Sequence, residues 1–281
     1  MSDSVLIETP SEGVRRIVMN RPDQANAQNN RLLYALNDAL TDASRDPSVR
    51  VIILAGAGRH FSVGHDLGDW DQQLSGEDPV GVWGGFSGPA QEGYMAYEEE
   101  AFFGLCWRWR NIPKPLIAAV QGKVIAAGLM LAWVCDIIVA ADSATFTDPV
   151  VAAGANGVEY FAHPWELGTR KAKEMLFTGQ ALTAAAAERA GMVNRVVPLE
   201  NLEAEALALA ATIASQPVMG LRLAKMAVNQ VQDEQGFYAA LRSAMAIQHV
   251  FHAQQWALHG QSADPGSGPL IRAALKRPPL A

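Results

Sequence analysis

Two short turns in this chain can present unpaired backbone N–H groups: Val63-Gly64-His65 and Ala126-Ala127-Gly128. Each stands where an apolar run passes into a helix-like pattern. N–H groups freed at such a junction can be aimed at an oxygen that gains negative charge, and a helix N-terminus adds a favourable dipole. Where enzymes depend on such donors, loss of one costs about 3 to 4 kcal/mol. The plain alternative for each turn is a tight connection before a helix. Gly64-His65-Asp66 also sets metal-type side chains next to each other. Nothing pairs with them at helical i, i+4 spacing, so no metal centre is expected. There is no G-x-G-x-x-G after the first strand, no G-x-x-x-x-G-K-[ST] and no G-x-S-x-G. Those absences disfavour a dinucleotide fold, a P-loop nucleotidase and a serine-hydrolase elbow.

The turns need rigid elements to hold them. Val5 to Ile7 and Arg15 to Met19 predict a hairpin around Gly13, and Arg21-Pro22-Asp23-Gln24 is turn chemistry. Leu32, Leu33, Leu36 and Leu40 set a helical period over Asn30 to Ala43. Val51 to Leu54, Leu116 to Val120 and Ile137 to Ala141 are continuous apolar runs of the kind buried on both faces of a sheet, and Ala144 to Thr147 adds a short strand. Helices are expected over Tyr97 to Trp109, Ile125 to Val134, Lys171 to Thr178, Ala184 to Ala190, Leu202 to Ser215 and Met219 to His259. Strands alternate with helices up to residue 198, which argues for a mostly parallel α/β architecture. The chain then divides into a core domain, 1–198, and a helical region, 199–281. Gln72 to Tyr94, rich in Gly, Ser, Pro and Asp, is expected to be the least ordered stretch, and the proline-bearing tail from Gly260 to wrap loosely.

Composition narrows the classes. Of 281 residues, 49% are apolar and 18% charged, a globular balance with a sizeable core. Twenty-two basic against 29 acidic residues leave a net charge of -7, with no basic run, a poor match to nucleic acid. Cys106 and Cys135 sit in apolar surroundings and read as buried thiols of a cytoplasmic protein. Val124 to Ala141 reaches 18 residues only by including Gly128 and Asp136, so it reads as a buried helix running into a buried strand, not a membrane span.

Three segments, in order, resemble the crotonase superfamily, the enoyl-CoA hydratase/isomerase family. Met19-Asn20-Arg21-Pro22 with Ala25-Asn26-Ala27 is similar to its N-R-P turn and following N-A. His60-Phe61-Ser62-Val63-Gly64-His65-Asp66-Leu67 is similar to F-[SC]-A-G-A-D-L. Pro115 through Gln121-Gly122, Ala127-Gly128, Cys135-Asp136 and Phe146 to Pro149 follows its third pattern, and the likeness extends over about residues 5 to 230. The resemblance implies a fold of repeated ββα units with a C-terminal helical trimerisation region, assembled as trimers or pairs of trimers. It implies an acyl-CoA thioester as substrate, no metal, and no cofactor beyond the coenzyme A of the substrate. It places the oxyanion donors on the backbone N–H groups of His65 and Ala127. Ala25 and Ala27, with Ser62, Val63, His65 and Leu67, would line the CoA groove; Gly64, Asp66, Gly128, Met130 and Val150 complete the substrate surface. Lys276 and Arg277 are candidates for the CoA 3′-phosphate, against the plainer reading of solvated charge.

The chain departs from that pattern where protons must move. Hydration needs one group to activate water and another to protonate the α-carbon. The family's two glutamates fall on Met130 and Val150, which transfer no proton. Slow hydration is therefore expected, with turnover resting on Asp148 or Glu159. Asp148, two residues before Val150, would share its face if the strand continued; otherwise it caps the next turn. Glu159, Tyr160 and His163 form an alternative acid–base cluster. The His65 side chain would point at the thioester or pack on the loop. Trp70, Trp83, Trp107 and Trp109 lie near the acyl end, at least two of them as core. The expected activity is that of an acyl-CoA lyase, enoyl-CoA hydratase by default. An isomerase, a thioester or C–C hydrolase and a non-catalytic acyl-CoA binder are the alternatives.

Overall fold

The continuous apolar runs become strands buried on both faces. In the computed structural model, which describes residues 4–68 and 84–281, β1 (Val5–Ser11) and β2 (Val14–Met19) form the expected hairpin. β3 (Val51–Gly56), β4 (Leu116–Val120), β6 (Ile137–Ala141) and β9 (Arg195–Val197) extend it in parallel, in the order β1-β2-β3-β4-β6-β9. A second, three-stranded sheet holds β5 (Lys123–Ile125), β7 (Thr145–Thr147) and β8 (Leu182–Thr183). Alternation sends Ile52, Leu54, Leu116 and Ala118 into the main core. It sends Val51, Ile53, Ile117 and Val139 to the other face, onto Leu202, Ala206 and Ala210 of α7 (Leu202–Ala214).

The remaining helices are α1 (Asn30–Arg45), α2 (Gln91–Glu98), α3 (Leu105–Arg110), α4 (Ala127–Trp133), α5 (His163–Thr178), α6 (Ala184–Arg189), α8 (Val218–Glu234), α9 (Phe237–His259) and α10 (Gly268–Ala274). α1 starts where Asn29 accepts a hydrogen bond from the Leu32 N–H at 3.0 Å, and it buries the leucines of the expected period. Several helix limits differ from the sequence expectation, and α5 starts at His163 where Lys171 was expected. Ile125 belongs to β5, and α4 begins only after Ala126. The helix expected over Tyr97 to Trp109 starts at Gln91 and passes through a π-helical stretch, Glu99–Gly104. The single helix expected over Met219 to His259 breaks at Gly236, whose φ of +96° ends a right-handed helix. The tail is pinned: the Leu280 N–H donates to Ala181 O at 2.7 Å and its carbonyl accepts from Thr183 N at 3.2 Å. Val124 to Ala141 forms β5, α4 and β6 inside the molecule. Of the stretch expected to be poorly ordered, residues 72–83 lie outside the described residues, and the rest leads into α2.

One buried side chain ties the loops that precede the site. Asn26, at φ +54°, donates through Nδ2 to Ala57 O at 2.9 Å and His60 O at 2.8 Å, and its Oδ1 accepts from Arg21 N at 2.9 Å. Asn26→Ala would leave three backbone groups without partners and place alanine in the left-handed region. It is expected to lower unfolding free energy by about 2 to 3 kcal/mol in urea titrations.

Candidate active site

The two turns singled out in the sequence lie against each other. Gly56 ends β3 where a Cβ would stand 2.6 Å from Phe61 O, so the chain folds back at once. Ser62 then runs beside β5, its carbonyl accepting from Ile125 N at 3.1 Å. A Cβ on Gly128 would stand 2.2 Å from Ser62 O. One on Gly64 would stand 2.8 Å from Ile125 O and 3.2 Å from Ala127 N. Gly64 also adopts φ +91°, a conformation that side chains disfavour.

Both turns leave a donor over. Gln28 pairs with the Val63-Gly64-His65 turn through its neighbours: Gln28 N donates to Gly64 O at 2.8 Å, and Asp66 N to Gln28 O at 2.9 Å. The N–H of His65 is thereby left on the opposite side. At the second turn Ala126 is held at φ +48°, ψ -120°, with its N–H on Thr147 O at 2.9 Å. A non-glycine residue in that region costs on the order of 1 to 3 kcal/mol and persists only where surroundings enforce it. Among the described residues neither the His65 nor the Ala127 N–H has an acceptor. α4 has only seven residues, so the free N–H, not a long helix dipole, is what this turn offers.

The groove residues cluster round the first turn. Ser62 Oγ donates to Asn26 O at 2.8 Å and accepts from Gln28 Nε2 at 3.2 Å. Val63 N donates to Ala25 O at 3.2 Å, and Arg21 Nη2 to Asp66 Oδ2 at 2.8 Å, with Arg21 also reaching Ala27 O. Leu67 is 73% exposed at the rim. Met130 is buried in the core, and Val150 opens a 3₁₀ turn after β7. Arg277 is tied to Thr178 O of its own chain. Trp109 is core, and Trp107 packs on Tyr238 at 4.6 Å between centroids; Trp70 and Trp83 lie outside the described residues.

The acid–base candidates separate. β7 ends at Thr147, so Asp148 and Val150 do not share a strand face. Asp148 is fully buried: Oδ1 accepts from Val150 N at 3.2 Å, and Oδ2 from Val158 N at 3.0 Å and lies 2.9 Å from His163 Nε2. Both oxygens are used to anchor residues 149–158, the turn-capping alternative. Tyr160 packs its ring on Phe237. Of the cluster, Glu159 alone meets the turn: its Oε2 stands 3.1 Å from His65 Nε2, while the His65 ring stacks on Phe102 at 3.9 Å. Burial works to raise the Glu159 pKa, but His65 opposite, the residue's own N–H and His252 outweigh it and hold it below the usual carboxylate value.

A second buried group was not foreseen. Glu98, at the end of α2, lies with Oε1 3.1 Å from His252 Nε2 and Oε2 3.5 Å from His249 Nδ1, both histidines on α9. The sequence did hold a signal. Tyr94, Glu98, Ala101 and Leu105 follow one helical stripe, so a carboxylate occupies a core-facing position, and His249 and His252 are one turn apart.

The sheet and the two turns set against it define a mixed α/β fold, which comparison with known proteins places in a family. The family model described as enoyl-CoA hydratase/isomerase matches residues 9–262. A candidate enoyl-CoA hydratase of Mycobacterium tuberculosis, EchA13, is 40% identical over 97% of this chain and 91% of its own. The crystal structure of a probable enoyl-CoA hydratase from Mycobacterium smegmatis superposes with a TM-score of 0.84 at 45% identity, covering 92% of this chain and 99% of that one. An enoyl-CoA hydratase/isomerase from Xanthobacter autotrophicus Py2 gives 0.78 at 31% identity, covering 98% and 93%. This chain belongs to the enoyl-CoA hydratase/isomerase family and is an enzyme of the crotonase fold.

The lowered pKa of Glu159 has a stability consequence. The folded state holds this carboxyl ionised below the value of about 4.3 usual for a free glutamate. Its stabilisation is therefore complete above that value and is lost as pH falls through the folded pKa. The stability difference between wild type and Glu159→Gln, from urea titrations between pH 3 and 7, should be flat at the upper end and shrink toward acid. A carboxyl ¹³C titration of Glu159 should give a midpoint below that of a free glutamate.

Proposed function

We propose that this enzyme hydrates enoyl-CoA thioesters reversibly, through an enolate whose oxygen is held by the N–H groups of His65 and Ala127. The observation that carries the proposal is the 3.1 Å contact between Glu159 Oε2 and His65 Nε2. It ties an ionised carboxylate to the side chain of the residue whose main chain offers one donor. Addition at the β-carbon drives charge onto the thioester oxygen. Two fixed donors there stabilise that charge without reorganising, a contribution of about 3 to 4 kcal/mol each. Glu159 then acts as the base that takes a proton from the attacking water, with His65 orienting it. Ala25, Ala27, Ser62, Val63, Gly64, Asp66 and Leu67 would hold the CoA portion, and Gly128, Met130 and Val150 the acyl side. Asp148 has the structural task of holding its loop. The substrate supplies the coenzyme A, and no other group is needed for these steps.

A second reading is double-bond isomerisation, favoured by the apolar Met130 and Val150. One carboxylate, Glu159, could take the α-proton and return it at the γ-carbon. Assay on 2-enoyl- and 3-enoyl-CoA esters decides between the two. In either case Glu159→Gln is expected to lose roughly a hundredfold or more in kcat/KM, with micromolar CoA-ester binding by calorimetry unchanged. Asp148→Asn should instead lower thermal stability and keep kcat within about threefold of wild type for the folded enzyme. Full activity in Glu159→Gln would remove the reading.

The enzyme is proposed to assemble as a trimer or a pair of trimers. None of the residues of α8 is buried, and Met219, Leu223 and Met226, spaced i, i+4, i+7, are 64%, 54% and 63% exposed on one face. Light scattering at micromolar concentration should give three or six times the mass of one chain; a stable monomer would refute the assembly.

A further inference from the structure

Glu98 and His252 form a buried pair, Oε1 standing 3.1 Å from Nε2. Glu98 is 0% exposed. The Ser262 carbonyl, 2.6 Å from His252 Nδ1, can only accept, so Nδ1 must carry hydrogen. Nε2 faces Glu98 Oε1 at 3.1 Å, so when His252 is charged the hydrogen on Nε2 is the one the pair can pass on. Gln91 Nε2 donates to His249 Nδ1 at 3.0 Å, so His249 offers no hydrogen to Glu98 Oε2. Burial disfavours a charged His252, but Glu98 outweighs it and raises the histidine's pKa.

The pair adjoins the site already described. A run of rings connects them: His65 to Phe102 at 3.9 Å, Phe102 to Tyr97 at 5.1 Å, Tyr97 to Tyr94 at 6.5 Å, and Tyr94 to His252 at 4.8 Å. The charge of Glu159 is felt at Tyr94, Tyr97, His249 and His252. Glu98 also stands where α2 passes into the π-helical stretch that carries Phe102, an irregularity often found at functional sites. Two buried carboxylates therefore stand at the two ends of this run of rings: Glu159 held ionised against His65, and Glu98 against His252.

We propose that Glu98, charged by His252, is the second proton-transfer group of this active site and delivers the α-proton that Met130 and Val150 cannot. The inference rests on the thioester reading above. As water adds, one of its O–H bonds breaks and the proton passes to Glu159. A C–O bond forms at the β-carbon, and the displaced electron pair moves onto the thioester oxygen. When the enolate collapses, the C–H bond at the α-carbon forms with the one proton the pair holds, delivered through Glu98, which leaves Glu98 a carboxylate and His252 a neutral imidazole with hydrogen on Nδ1 alone. Proton exchange with solvent resets both groups, and the net change is the addition of one water.

Microscopic reversibility supplies the test. Exchange of the α-hydrogen of a saturated ester, butyryl-CoA in D₂O, needs the pair and not Glu159. Glu98→Gln and His252→Gln are expected to lose hydration of crotonyl-CoA by roughly a hundredfold, and to lose α-exchange with it. Glu159→Gln should lose hydration while α-exchange persists. Butyryl-CoA binding by calorimetry reports an intact groove in each variant, and His252→Gln carries the test if Glu98→Gln does not fold. Hydration within threefold of wild type in both pair variants overturns the proposal while leaving the thioester reading in place. So does α-exchange that depends on Glu159 alone. Loss of butyryl-CoA binding in both pair variants makes the pair structural and also overturns it. A wild type that binds no acyl-CoA removes the thioester reading, and the proposal falls with it.

Discussion

At Gly64 two stretches of backbone meet more closely than any side chain would permit. A methyl group there would press on Ile125 O and on Ala127 N, and one at Gly128 would strike Ser62 O. The approach holds His65 N and Ala127 N on neighbouring turns, and much of the architecture serves to hold it. β3 feeds the first turn and β5 the second. Asn26 ties the preceding loops together, and Ala126 is kept in a conformation that alanine avoids. None of these elements needs to touch a ligand to matter. Each removes freedom from two amide groups whose usefulness depends on their not having to move.

Around that backbone frame the buried carboxyl groups are set apart by their partners. Asp148 is surrounded by donors and anchors a loop. Glu159 faces an imidazole and is held ionised. The half-buried Glu166, whose carboxyl has no hydrogen bond or ion pair among the described residues, is pushed up by burial to about 8. Glu159 and Glu166 thus depart from the ordinary carboxyl value in opposite directions because of what stands beside them.

The strands and most helices were legible because their apolar periods are unambiguous, and the two turns because glycine marks them. Helix limits were less so. Ala126 and Gly236 end or start helices through positive φ, which glycine hints at and alanine does not. The expectation of a groove came from resemblance in local order. The acid–base groups were only half legible, since their pairing is a matter of distance through space. Asp148 lies next to Val150 in sequence, yet its carboxylate is committed elsewhere. Glu159 is 94 residues from His65, and Glu98 is more than 150 from His252. The rule that i and i+2 share a face failed at Asp148 because the strand stops one residue earlier. The stripe that points Glu98 inward was visible, but a run of three glutamates reads first as solvated surface.

His65 combines two kinds of instruction at one position. Its amide is placed by the main-chain pairing with Gln28 and by Gly64, whatever side chain follows. Its imidazole is placed by Phe102 and Glu159, independently of that pairing. Carbonyl polarisation and proton handling are therefore separable in heredity: side chains round the pocket can be exchanged over generations without disturbing the amides. A scaffold of this kind can change the reaction it performs while keeping the class of molecule it accepts.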